Sequence, residues 1–207
     1  MNPTRWWWIR HAPVVGHSGR IYGQDDVDCD CGNAALFAQL AGSLPVDALW
    51  ITTPLSRTRL TAAALHQAGA PKPASEREEA AFLEQHFGAW QGLTYEEFAI
   101  LRDGAAHRFW HAPASERPPQ GESFADVVER VARAVEAISA AEAGRDIVVV
   151  AHGGSIRAAL AHALAIDPER ALGFAIDNCS LTRLDHFTGE GAWRVGSVNF
   201  LPQAQIR

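Results

Sequence analysis

Three short apolar runs, residues 6–9, 48–52 and 147–151, are separated by long stretches that include segments of helical period, and each run ends on polar residues. Strands spaced in this way are joined by helical crossovers, which carry the chain back so that successive strands lie parallel. The alternation therefore predicts an α/β fold, a three-layer α/β/α sandwich with a mainly parallel central sheet. With 207 residues, 47% of them apolar, the chain can bury a core for one domain carrying one large insertion. Thr53 and Pro54 read as N-cap and first position of a helix running to about Ala68, before Gly69. Ser123 and Asp126 have capping-box form. Phe124, Val127, Val128, Val131, Val135 and Ile138 then repeat at helical spacing until Gly144. Residues 181–184 and 193–198, on either side of Thr188-Gly189-Glu190-Gly191, read as a closing hairpin. Residues 94–101 have helical character, whereas 112–121 are rich in proline and polar residues, so 94–121 is expected to be an insertion capping one face of the sheet.

Composition removes several function classes. The run at 6–9 is too short for the apolar region of a signal peptide, and nothing later approaches the roughly 18 apolar residues of a membrane span, so a cytoplasmic protein is expected. Cys29, Cys31 and Cys179 are an odd set and read as reduced thiols. A formal net charge of −6 argues against a broad nucleic-acid surface, so an anionic substrate must be held by a local cluster of positive groups.

Such a cluster is available. Ligands of open parallel sheets bind beyond the carboxyl ends of the strands. There the first run delivers Arg10 and His11, the helix after the second run brings Arg57, and the third delivers His152, Gly153 and Gly154. One such residue alone would read as a loop-stabilising contact; three sets together fit phosphoryl transfer to a histidine. Imidazole is neutral and nucleophilic near pH 7, and a covalent intermediate divides one displacement into two easier ones. Guanidinium forks from Arg10 and Arg57, a protonated His152, and the amides of Gly153, Gly154 and Ser155 at a helix start would stabilise charge on the phosphoryl oxygens.

Four segments in order resemble the histidine phosphatase (phosphoglycerate mutase-like) superfamily. Ile9-Arg10-His11 is similar to its Arg-His-Gly signature, and Thr53-Pro54-Leu55-Ser56-Arg57-Thr58-Arg59-Leu60-Thr61-Ala62 to its Ser-x-Leu-x-Arg-Ala-x-x-Thr-Ala segment. The stretch from Leu83 through Glu84 and Trp90 to Gly92 resembles Leu-x-Glu-x-x-x-Gly-x-Trp-Glu-Gly. Val150-Ala151-His152-Gly153-Gly154-Ser155-Ile156-Arg157 resembles the second-histidine segment. The resemblance implies His11 as nucleophile, Arg10, Arg57 and His152 as phosphate pocket, and Glu84 as proton donor to the leaving oxygen. Gly153, His17 and Gly23 fall on the substrate-binding side. Departures concentrate in the first loop, where Ala12-Pro13-Val14 replaces the familiar residues and His17 stands about where many members have Asn. With Ile21-Tyr22-Gly23-Gln24 this loop is similar to the α-ribazole phosphatase-like branch, which implies an altered substrate loop.

His107 and His111 stand at i and i+4, but no acidic residue of a zinc motif lies between them, so no metal and no cofactor are expected. His107, Arg108, Arg102 and Arg117 either edge the substrate mouth or are solvated charges. Trp6 to Trp8 read as core, Arg59 as lying outside the phosphate pocket, and Asn178-Cys179-Ser180 as without chemistry. The expected function is metal-independent hydrolysis of a small-molecule phosphomonoester, with no nucleic-acid or membrane partner and a homodimer compatible with the chain. A phosphomutase is the alternative, disfavoured because the chain is short of the long arms of sugar-acid mutases. A weakly catalytic, phosphate-recognising regulatory module is a further alternative.

Overall fold

The computed structural model describes residues 2–17, 19–73, 76–104, 107–187 and 189–202. Six strands form one sheet: β1 (Thr4–Arg10), β2 (Ala48–Thr52), β3 (Glu76–Glu78), β4 (Asp146–Ala151), β5 (Leu181–Phe187) and β6 (Ala192–Phe200). Their order is β3-β2-β4-β1-β5-β6, parallel from β3 to β1, with β5 and β6 antiparallel. The helices are α1 (Ala34–Gly42), α2 (Ser56–Gln67), α3 (Tyr95–Leu101), α4 (Phe124–Ala141), α5 (Gly153–Leu164) and α6 (Pro168–Ala171).

Strand periodicity divides the core into two. Trp6, Trp8, Ile147, Val149 and Ala151 pack on one face with Val127, Val131 and Val135 of α4 and Ile156 and Leu160 of α5. Ile9, Trp50, Val148 and Val150 pack on the other with Phe37 and Leu40 of α1 and Leu65 of α2. The outcome is the three-layer sandwich, with Trp6 and Trp8 stacked in its interior at 5.5 Å. Each fully buried aliphatic side chain adds roughly 1.5–3 kcal/mol relative to exposure, which fixes the register that points alternate residues to opposite layers.

Two local expectations change. Helix α2 starts at Ser56, not after Thr53, and its N-cap residue is Leu55. Thr53 is fully buried, and its hydroxyl meets Thr58 Oγ1 at 3.1 Å and His152 Nε2 at 3.0 Å, so it is drawn into the site and does not cap the helix. Residues 107–111 form turns, not a helix, so the two histidines do not share a helix face. Helix α4 has the capping box at Ser123 and Asp126, and α3 one at Thr94 and Glu97. The β5–β6 hairpin is present, although Thr188 of its connection lies outside the described residues. Among the described residues no helix is long and apolar enough to cross a membrane, and all three cysteines are free.

Candidate active site

Adjacent parallel strands β1 and β4 end side by side, with Arg10 paired to Ala151, so the residues that follow each strand enter the same space. His11 is fully buried. Its backbone N–H donates to Ala151 O at 2.9 Å and its carbonyl accepts from Asn178 Nδ2 at 2.8 Å. The ring Nδ1 lies 2.7 Å from Ala12 O, which can only accept, so Nδ1 carries the proton and Nε2 presents its lone pair. That Nε2 is buried and has no partner. Ala12 is itself buried, without a positive φ, and its N–H donates to Thr61 Oγ1 at 2.9 Å, so this position has no conformational need for glycine.

Arg57, in the first turn of α2, is also fully buried. Its Nη1 donates to Asp25 O at 2.7 Å, its Nη2 to Gly23 O at 2.6 Å and its Nε to His152 Nδ1 at 3.3 Å. Three of its five N–H groups are thereby used and the fork is held rigidly, with the Tyr22 ring 5.1 Å from its Cζ. Accepting at Nδ1 fixes the other tautomer on His152, whose Nε2–H donates to Thr53 Oγ1. The rings of His11 and His152 are 5.3 Å apart. Arg10 Nη1 donates to Ile176 O at 2.6 Å, and its Nε is buried without a partner.

Burial is the first cause, and the positive charge of Arg57 the second, that holds both His11 and His152 well below the ordinary imidazole range; Arg10 adds to the effect on each. A neutral His11 suits a nucleophile. A neutral His152 departs from the protonated donor expected from the sequence, because a cation there would lie in a buried site beside Arg57. Burial likewise pushes Arg57 down, with Glu84 first among the charges opposing it.

Glu84 reaches this site from the segment between two short 3-10 turns, Ala80–Phe82 and Gly88–Trp90. Its carboxylate accepts from Gly154 N at 3.0 and 3.2 Å and from Gln85 N at 2.9 Å, while Gln24 and Arg130 donate to its backbone carbonyl. The N-terminus of α5 thus receives a carboxylate, as a helix start favours anions. The Gly154 amide expected to meet phosphate is engaged by Glu84.

Arg10, Glu84 and Gly153 line a cavity of about 360 Å³, with Arg20, Tyr22, Gly23, Phe87, Tyr95 and Trp110 also in its wall, whereas His11, Arg57 and His152 are fully buried and are not lining residues. His107, Arg108 and His111 line it as well. Arg102 and Arg117 do not: Arg102 pairs with Glu116 and Arg117 donates to Asp126 at 2.7 Å. His17 also stays off the wall, its Nδ1 2.9 Å from Val15 O. Arg59 pairs with Glu78 at 3.3 Å, outside the cavity. Among the described residues no group of three metal-ligating side chains exists, and His107 pairs instead with Glu169 at 2.5 Å. Thr53, which the sequence suggests as a helix cap, Asn178, which reads as without chemistry, and Thr61 and Trp110, which carry no sequence-based role, join the site through contacts distant along the chain, while Tyr22 of the expected substrate loop lines the cavity. The arrangement offers a neutral imidazole lone pair, guanidinium groups around it and a carboxyl group beside the same helix start, a set suited to moving a phosphoryl group.

The profile of the histidine phosphatase superfamily (branch 1) matches residues 6–200. A bifunctional protein of Mycobacterium tuberculosis is 32% identical over 205 residues, which cover 96% of this chain and 54% of the relative, so the chain spans about half the length of that relative. A glucosyl-3-phosphoglycerate phosphatase of Mycolicibacterium vanbaalenii is 34% identical over 183 residues, 82% of this chain and 75% of its own. A mycobacterial glucosyl-3-phosphoglycerate phosphatase solved with inorganic phosphate superimposes with a TM-score of 0.79 at 28% identity, covering 97% of this chain and 99% of that one. The chain belongs to the histidine phosphatase superfamily.

Proposed function

We propose that the protein hydrolyses a small-molecule phosphomonoester through a phosphohistidine on His11, without a metal ion. The observation that carries this reading is the state of His11: a buried imidazole with Nδ1 tied to a carbonyl and Nε2 unpartnered, beside Arg10, Arg57 and His152. In the first half-reaction Nε2 attacks phosphorus, the ester P–O bond breaks, and Glu84 gives its proton to the leaving oxygen. In the second, the Glu84 carboxylate takes a proton from water, the water oxygen attacks phosphorus, and the N–P bond breaks to return His11 and release phosphate. Arg10 and the two unspent N–H groups of Arg57 would neutralise charge on the phosphoryl oxygens in both steps. Gly153 would allow close approach of the phosphate, and Gly23 shapes the site through its carbonyl on Arg57. We place the cap at 94–121 over the cavity as part of the same domain, and the protein in the cytoplasm, where its free thiols stay reduced.

Phosphate release from p-nitrophenyl phosphate should persist in excess chelator, because guanidinium groups take the part that cations play in a metallophosphatase. Activity lost with chelator and restored by a divalent ion would overturn the reading. Isomerisation of a phosphorylated acid without net phosphate release would favour the mutase alternative.

A further inference from the structure

Arg157 lies in the second turn of α5 and is 9% exposed, yet it forms no ion pair among the described residues. Its Nε donates to Phe174 O at 2.8 Å, which leaves both terminal nitrogens of the guanidinium group to the cavity that Arg157 lines. Its Cζ stands 4.8 Å from the centre of the Trp110 ring. Burial of a guanidinium group without a carboxylate partner is costly, and Glu84 and Asp177 reach it only through space.

The glycines at the start of α5 locate this group relative to the chemistry. A Cβ at Gly153 would stand 3.1 Å from Arg157 Nη1 and 3.6 Å from Arg10 Nε, so both guanidinium groups close over one glycine. A Cβ at Gly154 would meet the Glu84 carboxylate and stand 3.6 Å from Trp110 Cζ2. Glu84, Trp110 and Arg157 therefore follow one another along one wall. If Glu84 serves the leaving oxygen, the next atoms of the leaving group meet Trp110 and Arg157. Charge points the same way: Arg10, Arg20, Arg108 and Arg157 line the cavity, and Glu84 is its single carboxylate among the described residues, in a chain of net charge −6.

We infer that Arg157 is a specificity-determining residue that binds an acidic group on the leaving alcohol, so that the preferred substrates are phosphomonoesters bearing a carboxylate or second phosphate close to the ester oxygen. This rests on the phosphatase reading. The ester oxygen would face Glu84 while the acidic group pairs with the free edge of the guanidinium group, and Trp110 would keep water from the other face of that cation.

The test compares leaving groups of matched shape. Phosphate release is measured from 2-phosphoglycolate, its neutral amide 2-phosphoglycolamide, and ethane-1,2-diol bisphosphate, with p-nitrophenyl phosphate as reference. The wild type should prefer at least one acidic substrate over the amide by ~10- to 100-fold in kcat/KM, the worth of one charge-assisted hydrogen bond. Comparison of the two acidic substrates tells carboxylate from phosphate. Arg157→Gln should reduce that ratio to below ~3, whatever its absolute rate, and Arg157→Lys should restore part of it. A merely structural arginine would lower all rates together and leave the ratio unchanged. A wild-type ratio near one, which can be measured even if the variants fail to fold, or an unchanged ratio in Arg157→Gln, overturns the inference. Failure to release phosphate even from p-nitrophenyl phosphate would instead defeat the phosphatase reading.

Discussion

The floor of the site and its outer wall are built by different means. On the floor, His11, Arg57 and His152 are fully buried, and their polar contacts run to strand ends, helix starts and the 23–25 turn. The outer wall at 107–111 is a turn segment in which Phe109 is 55% exposed. It is fastened by the His107–Glu169 pair, by Trp110 N–H donating to His107 Nδ1 at 3.0 Å, and by Trp110 Nε1 donating to Gln85. On the proposed function this difference would separate two tasks: the sheet would fix where phosphorus is attacked, and side chains on irregular backbone would select what is attached to it. Glu84 lies on the border, with its carboxylate on the floor helix and its backbone held by Gln24 and Arg130.

The largest effect that sharpens this division is expected at that border. Glu84→Gln should slow turnover of alkyl phosphates by ~10²- to 10⁴-fold, while formation of phosphohistidine from aryl phosphates should slow less, because a good leaving group needs less protonation. Equal slowing of that step in rapid-quench measurements would remove Glu84 from the acid role. A smaller effect is expected at Gly154→Ala. The new methyl group would push the Glu84 carboxylate off the Gly154 amide, a displacement of a side-chain end that the fold can tolerate, and alanine is the better helix former. Turnover of alkyl phosphates should fall ~10- to 100-fold with thermal stability unchanged or slightly raised. Full activity in this variant would show that the Gly154 contact does not position Glu84.

The smallest effect concerns the wall and is read as stability. Burial, with Arg157 second, pushes His111 down to about 4, and its ring packs against Phe87, Phe98 and Trp110. Below pH ~6.5 the unfolded chain takes up this proton and the folded chain resists it. The stability contributed is therefore full above that value and lost as pH falls toward about 4, by at most ~3 kcal/mol. His111→Phe should keep the ring packing and flatten the fall in melting temperature between pH 6.5 and 4. A parallel fall in variant and wild type would assign the acid sensitivity to the floor histidines, which are shifted in the same direction.

What the sequence revealed follows the same division. β1, β2 and β4 are neighbours in a parallel sheet, so Arg10, His11, Arg57 and His152 could be gathered from strand ends without any knowledge of side-chain contacts. A threonine before a proline has the form of a helix N-cap, but the hydroxyl of Thr53 is taken by His152 and α2 begins at Ser56. Asn178, 167 residues from His11 along the chain, and Thr61, 49 from Ala12, act through contacts that no local pattern announces. Arg102 and Arg117 carry the same charge as Arg108, but Arg102 pairs with Glu116 and lies over the Trp90 and Phe98 rings, and Arg117 pairs with Asp126.

The central claim is that His11 Nε2 becomes phosphorylated during turnover. It is tested most directly by rapid quench of the enzyme with ³²P-labelled phosphomonoester, followed by mapping of the acid-labile, alkali-stable label. The account predicts label on His11, formed and discharged at rates compatible with turnover, and none in His11→Ala, which should also lose at least ~10⁴-fold in phosphate release. Wild-type turnover without a phosphoenzyme, label on another residue, or undiminished turnover in His11→Ala would contradict it.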